Sequence, residues 1–224
     1  MLRRIFLIIL CLGLLILPVR ADGGGKYAAL TFDDGPSGRF TRRLLDGLHK
    51  RNAKATFLLC GYRLEIYPEE AERILAEGHE IGIHGYSHDC MCPMTEKQVA
   101  EEIRKTDALL PEGCCPVFLR PPGGNCSEAV MRAAEETGLG ILSWSVDPKD
   151  WATRDTGEII TAAVKRTQDG DIILMHDMTD SSVTAALEII DILSARGFEF
   201  VTVSELAAIR GVSIQPGESY CKFP

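Results

Sequence analysis

Seven short apolar runs, rich in β-branched residues, alternate with amphipathic stretches along this chain. That alternation narrows the fold more than any single motif does. The runs are Tyr27–Phe32, Ala55–Leu59, Glu80–Ile83, Val117–Leu119, Gly140–Val146, Asp171–Met175 and Glu199–Val203. They have the length and residue types of strands rather than helices. Between them the period changes to that of a helix. Thr41–Lys50 carries Leu44, Leu45 and Leu48 on one face, and Glu69–Ala76 sets Ile74 and Leu75 against a charged side. Thr95–Leu110 opens on Thr95-Glu96-Lys97-Gln98, a capping-box pattern. Ser127–Thr137, Glu158–Thr167 and Ser182–Ala195 complete the set. Such alternation, without a long linker, predicts one α/β domain with a mainly parallel sheet. Seven strands are many for a small open sheet and one short of the usual eight-stranded barrel. The expected architecture is therefore a barrel with a missing or irregular stave, and an open doubly wound sheet is the alternative.

The first 21 residues read differently. Arg3 and Arg4 precede an unbroken apolar run from Ile5 to Leu17, and small residues end the segment at Ala21. This is the layout of a secretory signal. The run is short for a membrane span, so an uncleaved N-terminal anchor is the second reading. Leu10 before Cys11 argues against lipidation. Without the three arginines of this segment the chain keeps 21 basic residues against 32 acidic ones, a net charge of −11. So acidic a surface speaks against nucleic acid and other polyanionic partners. Seven of the eight cysteines lie beyond the leader, and in an exported chain they are expected to pair as disulfides with one left over. Cys90-Met91-Cys92 lacks the second pair that a structural zinc site needs. The globular domain is expected over residues 27–210, with 211–224 a peripheral tail held through Cys221.

Polar residues gather where the apolar runs stop. Phe32 is followed by Asp33 and Asp34, and Ile83 leads to His84 and His88. Leu119 runs into Arg120-Pro-Pro-Gly-Gly, Val146 into Asp147-Pro-Lys-Asp150-Trp151, and Met175 into His176-Asp177. In a parallel barrel the C-terminal strand ends converge on one face, and active sites sit there. His84 and His88, four apart, can reach one ion if their segment turns helically, and a carboxylate beside them completes a His-His-Asp set. Three such ligands with an open position describe a catalytic divalent site. Zinc is the default, with cobalt, nickel or manganese as alternatives. Of the two aspartates, one can bind the ion and its neighbour can deprotonate the attacking water, steadied by Arg120. His176 is placed to act as general acid.

Taken together, the motifs TFDDG, HGYSH, RPPGG, DPKDW and LMHD, in that order over Tyr27 to Arg210, resemble the polysaccharide deacetylases of the NodB-homology type, carbohydrate esterase family four. The closing GFEFVTVSEL is similar to the end of that domain. The resemblance implies an irregular (β/α)7 barrel and a metal-dependent hydrolysis of N-acetyl groups on an amino-sugar polymer. It makes Asp33 the catalytic base and Asp34, His84 and His88 the ligands. Arg120 would hold the base, Asp150 together with Asp147 would tune the acid His176, and Leu174 and Trp151 would wall the acetyl pocket. A backbone N–H after the RPP run would help hold the oxyanion. Two positions depart from the family pattern. Gly85 replaces a Ser or Thr whose hydroxyl could brace the loop, which implies weaker metal binding. Gly123 replaces an aromatic wall of the sugar groove, which keeps the N–H and leaves the substrate open. The expected substrate is extracellular, peptidoglycan N-acetylglucosamine first and a chitin-like oligomer second. An O-acetyl esterase is the rival enzymatic reading. A non-catalytic glycan-binding module is the third, disfavoured because Asp33, Asp34, His84, His88 and His176 are all present.

Overall fold

The computed structural model describes residues 25–224, so the expected leader lies outside the described residues. Strands and helices alternate in chain order: β1 (Lys26–Asp33), α1 (Arg39–Arg51), β2 (Thr56–Leu59), α2 (Gly61–Leu64), α3 (Pro68–Ala76), β3 (Glu80–Ile83), α4 (Glu96–Asp107), β4 (Phe118–Leu119), α5 (Glu128–Glu136), β5 (Gly140–Leu142), α6 (Thr156–Arg166), β6 (Ile172–His176), α7 (Asp180–Ser194), β7 (Phe198–Phe200), α8 (Val203–Ile209) and β8 (Ser219–Tyr220). The strands pair in the order β6-β1-β2-β3-β4-β5-β8, with β7 beside the start of β1. Every pairing between named strands is parallel. Past β5 the chain changes neighbours, and Val146 bridges Ile173 of β6 in parallel. The sheet thereby curls back on itself into the irregular (β/α) barrel that the sequence predicts.

Strand alternation sorts the core into an inside and an outside. On β1, Ala28, Leu30 and Phe32 face the helices and pack with Leu44, Leu45 and Leu48 of α1 and with Ala186, Ile189 and Ile190 of α7. Ala29 faces the barrel interior with Leu58, Phe118, Leu142 and Ile172. Val203, Leu206 and Ala207 of α8 join this interior cluster. A third cluster unites β3, β4 and β5 with α4 and α5 through Ile83, Val99, Ile103, Leu119, Val130 and Ile141. Each large apolar side chain so buried contributes about 1.5–3 kcal/mol. The capping box predicted at Thr95 and Gln98 forms. A second one, Thr202 with Glu205, starts α8 where the sequence reading extends a strand to Val203. The Thr-x-x-Glu signal was present there and outweighs the β-branched run.

Two expectations are corrected. Residues 211–224 lie mostly at the surface but are not held through Cys221: β8 pairs with β5, and Phe223 is buried inside the barrel and stacks on Tyr220. The seven cysteines of the described residues are all free thiols, so the expected disulfides are not formed. Strand pairing and the Phe223 anchor hold the C-terminal segment, and Cys221 is exposed. Cys60, by contrast, is buried where β2 ends, and burial first, then the nearby aspartates, push its thiol well above the ordinary range.

Candidate active site

The C-terminal ends of β1, β3, β4 and β6 bring the polar residues together. Asp33 is an inward residue of β1, 3 % exposed, and it sits in direct register with His176 of β6. Adjacent strands lie about 4.8 Å apart, so this register sets a carboxylate and an imidazole side by side. Asp34, next in the chain, cannot share Asp33's orientation. Its backbone turns into the left-handed region at φ 72°, which swings its carboxylate toward β3. An aspartate tolerates that conformation better than most residues do.

Asp34, His84 and His88 form the one group among the described residues whose ligating atoms converge, all within 4.8 Å of one another. Asp34 Oδ1 lies 2.9 Å from His88 Nε2 and 3.4 Å from His84 Nε2. It is buried and has no hydrogen-bond partner of good geometry. His84 is 2 % exposed, and its Nδ1 donates to the Arg120 carbonyl at 2.6 Å, leaving the Nε2 lone pair directed at Asp34. That is the way a protein orients a ligating imidazole. Burial opposes ionisation of Asp34, but the two imidazoles beside it hold its carboxyl well below the usual range. The same carboxylate raises His88, against the cost of desolvation. An orphaned carboxylate oxygen and two convergent nitrogens are a donor set that fits a borderline divalent ion.

His88 does not arrive by a helical turn. Residues 84–88 are irregular, with Gly85 at φ 83° and His88 at φ 65°. The loop is shaped by Glu102 of α4, whose Oε2 accepts from the Tyr86 and Ser87 N–H groups at 2.9 and 2.8 Å and from the Ser87 hydroxyl at 2.9 Å. A side chain at position 85 would need that positive φ and would put its Cβ 2.7 Å from Met91 Cε. The path of the loop therefore favours glycine at 85, and Ser87 with Glu102 supplies the brace. The sequence reading missed Glu102, which has no motif and acts from sixteen residues away.

Arg120 is fully buried inside the barrel. Its Nη1 donates to Asp33 Oδ1 at 2.7 Å and to Thr31 Oγ1 at 2.8 Å, and its Nε and Nη2 bond the Leu142 and Ser143 carbonyls. This arrangement fixes one oxygen of Asp33 and leaves Oδ2 facing His84, 3.8 Å from its Nε2. Removing one partner of such a buried pair costs about 3–5 kcal/mol. Asp150, also fully buried, accepts from His176 Nδ1 and from the His176 N–H, both at 2.9 Å. Burial works against the imidazolium, yet Asp150, helped by Asp33 and Asp34, pushes the His176 pKa up to about 9.

The remaining predicted residues lie farther from this cluster. Asp147 accepts from the Lys149 N–H at 2.8 Å and shapes the turn that delivers Asp150, without touching His176. Leu174 is buried on the same face of β6 as His176, and Trp151 is 57 % exposed. Gly123 is exposed, with φ 72°.

Comparison with known proteins agrees with this geometry. A family model described as polysaccharide deacetylase matches residues 20–142. The chain is 36 % identical over 191 residues to the peptidoglycan-N-acetylmuramic acid deacetylase PdaC of Bacillus subtilis, covering 84 % of this chain and 40 % of that protein. It thus spans about two fifths of that relative's length. A Bacillus cereus peptidoglycan-N-acetylglucosamine deacetylase is 36 % identical over 187 residues, covering 81 % of this chain and 88 % of the relative. A family 4 acetyl xylan esterase from Clostridium thermocellum, solved with a cobalt ion, superposes with a TM-score of 0.81 at 35 % identity, covering 89 % of this chain and all of the other. Five ordered motifs on a curled parallel sheet, with matches of this extent, place the chain in the polysaccharide deacetylase family.

Proposed function

We propose that this protein removes N-acetyl groups hydrolytically from an extracellular amino-sugar polymer, with peptidoglycan N-acetylglucosamine the preferred substrate and a chitin-like oligomer the second. The observation that carries the reading is the register of Asp33 with His176, each fixed by its own buried partner, beside the Asp34-His84-His88 cluster. Asp34, His84 and His88 would hold one divalent ion, zinc in first place and cobalt, nickel or manganese as substitutes. Such an ion would supply Lewis-acid activation of the attacking water and of the acetyl carbonyl. Asp33 Oδ2 takes the proton of the attacking water. Arg120 holds the other carboxylate oxygen and keeps the base aimed. His176, protonated through its bond to Asp150, gives its Nε2 proton to the departing amine. Leu174 and Trp151 would contact the acetyl methyl, and a backbone N–H near Gly123 would hold the oxyanion. The relatives' peptidoglycan substrates and the predicted leader support action outside the cytoplasmic membrane.

The likeness to an acetyl xylan esterase favours one rival, O-deacetylation on the same site. An alkoxide leaves more readily than an amine and depends less on the acid. Acetate release from N-acetylated and O-acetylated oligosaccharides by zinc-loaded protein separates the two. Release from the N-acetylated oligomer supports the proposal, and release from the O-acetylated substrate alone replaces it. Asp33→Asn is expected to keep the ion and lose at least about 100-fold in turnover, whereas His84→Ala loses both. Near-normal acetate release by Asp33→Asn would overturn the role given to the base.

A further inference from the structure

Asp177 follows the proposed acid, is fully buried, and has no part in the chemistry above. It lies against the loop that carries Asp34. Thr41 of α1 donates its hydroxyl to Asp177 Oδ2, and Ser37 donates its hydroxyl to the Asp177 carbonyl. The Ser37 N–H in turn donates to Thr41 Oγ1 at 2.7 Å. Asp177 Oδ1 is buried without a hydrogen-bond partner and faces Gly35, where a Cβ would stand 2.7 Å from that oxygen. Two further contacts hold the same loop from the β2 side: the Cys60 N–H donates to the Gly35 carbonyl at 3.0 Å, and Arg63 Nε to the Pro36 carbonyl at 2.9 Å. Residues 35–37 are therefore gripped from both flanks.

A buried carboxylate with one oxygen unsatisfied costs about 1–3 kcal/mol or more, so stability alone gives no reason for Asp177. Its placement does. The backbone of Asp34 must be kept in the left-handed region for the carboxylate to meet both imidazoles, and the residues that immediately follow are those Asp177 and Thr41 restrain. We infer that Asp177 and Thr41 form a clamp joining the strand end of His176 to the Asp33–Ser37 loop, and that this clamp positions Asp34 for metal binding and Asp33 for proton transfer. Asp177 is a positioning residue, acting through the loop rather than on the substrate. The inference rests on the roles proposed above for Asp33 and Asp34.

The test is zinc affinity of the full-length protein, measured by chelator competition, alongside kcat and KM on an N-acetylglucosamine oligomer and the melting temperature. Asp177→Ala and Thr41→Val are each expected to weaken zinc binding and lower kcat by about 10–100-fold, the range for residues that orient ligands, with KM within about twofold of the parent. Asp177→Asn, which can still accept from Thr41, is expected to recover most of both. The double variant Asp177→Ala/Thr41→Val should lose little more than either single one. Should Asp177→Ala be unfolded, Thr41→Val and Asp177→Asn decide the question. Parental zinc affinity and kcat in folded Asp177→Ala or Thr41→Val, whatever their melting temperatures, would overturn the clamp. A parent that binds zinc but releases no acetate would refute the proposed function, and the variants' zinc affinities would still judge the clamp.

Discussion

At the scale of single residues, adjacent aspartates look like a liability, since two carboxylates in sequence repel. The backbone resolves this by sending them to different partners. Asp33 keeps the strand's inward direction and meets a buried arginine, and Asp34 leaves it at φ 72° and meets two imidazoles. His176 shows the same logic with the sign reversed. Burial alone would lower its pKa, and the fully buried Asp150 overrides that. In the metal-free protein, an NMR titration of the ring protons should find His176 protonated well above 6.5, with a midpoint near about 9. Because the folded value is the higher one, this group's contribution to stability is complete below about 6.5 and fades as pH rises through about 9. Asp150→Asn should return the midpoint toward the ordinary histidine range. An unchanged midpoint would show that Asp150 is not its cause.

At the scale of elements, the loop between β3 and α4 carries the most instructive difference from expectation. The sequence reading takes Gly85 for the loss of a bracing hydroxyl. In the structure the brace comes from Glu102 on α4, and Gly85 occupies a left-handed conformation that strains most other residues. Restoring the family pattern with Gly85→Ser should therefore harm rather than help. A forced positive φ costs about 1–3 kcal/mol, and the terminal methyl of Met91 would have to shift to admit the new side chain. Urea unfolding together with zinc competition measures the result. A variant both more stable and tighter for zinc would restore the hydroxyl interpretation. No sequence window could have found Glu102, because its value lies in where α4 docks.

At the scale of the whole molecule, the barrel closes unevenly. β5 leaves its ladder after Leu142, Val146 joins β6, and β8 from the end of the chain extends the sheet beside β5. Phe223 then fills the interior with Phe118, Leu142 and Ile172. The last residues are thus a structural part of the domain, and Phe223→Ala should cost about 3–5 kcal/mol, read from the urea midpoint. A loss near zero would mean that the interior is filled without it. Among the described residues no helix is long and apolar enough to cross a membrane.

The sequence by itself determined the alternation of strand and helix, the curled parallel sheet, and the concentration of Asp33, Asp34, His84, Arg120, Asp150 and His176 where strands end. These are properties of local periodicity and of parallel topology, in which every strand points the same way. Only the tertiary structure decided which group meets which: the Asp33 register with His176, the grip of Asp177 and Thr41 on the loop, the Glu102 brace, and the eighth strand. Those depend on contacts between residues from 15 to well over a hundred positions apart, fixed by how the elements pack, and no local pattern encodes them.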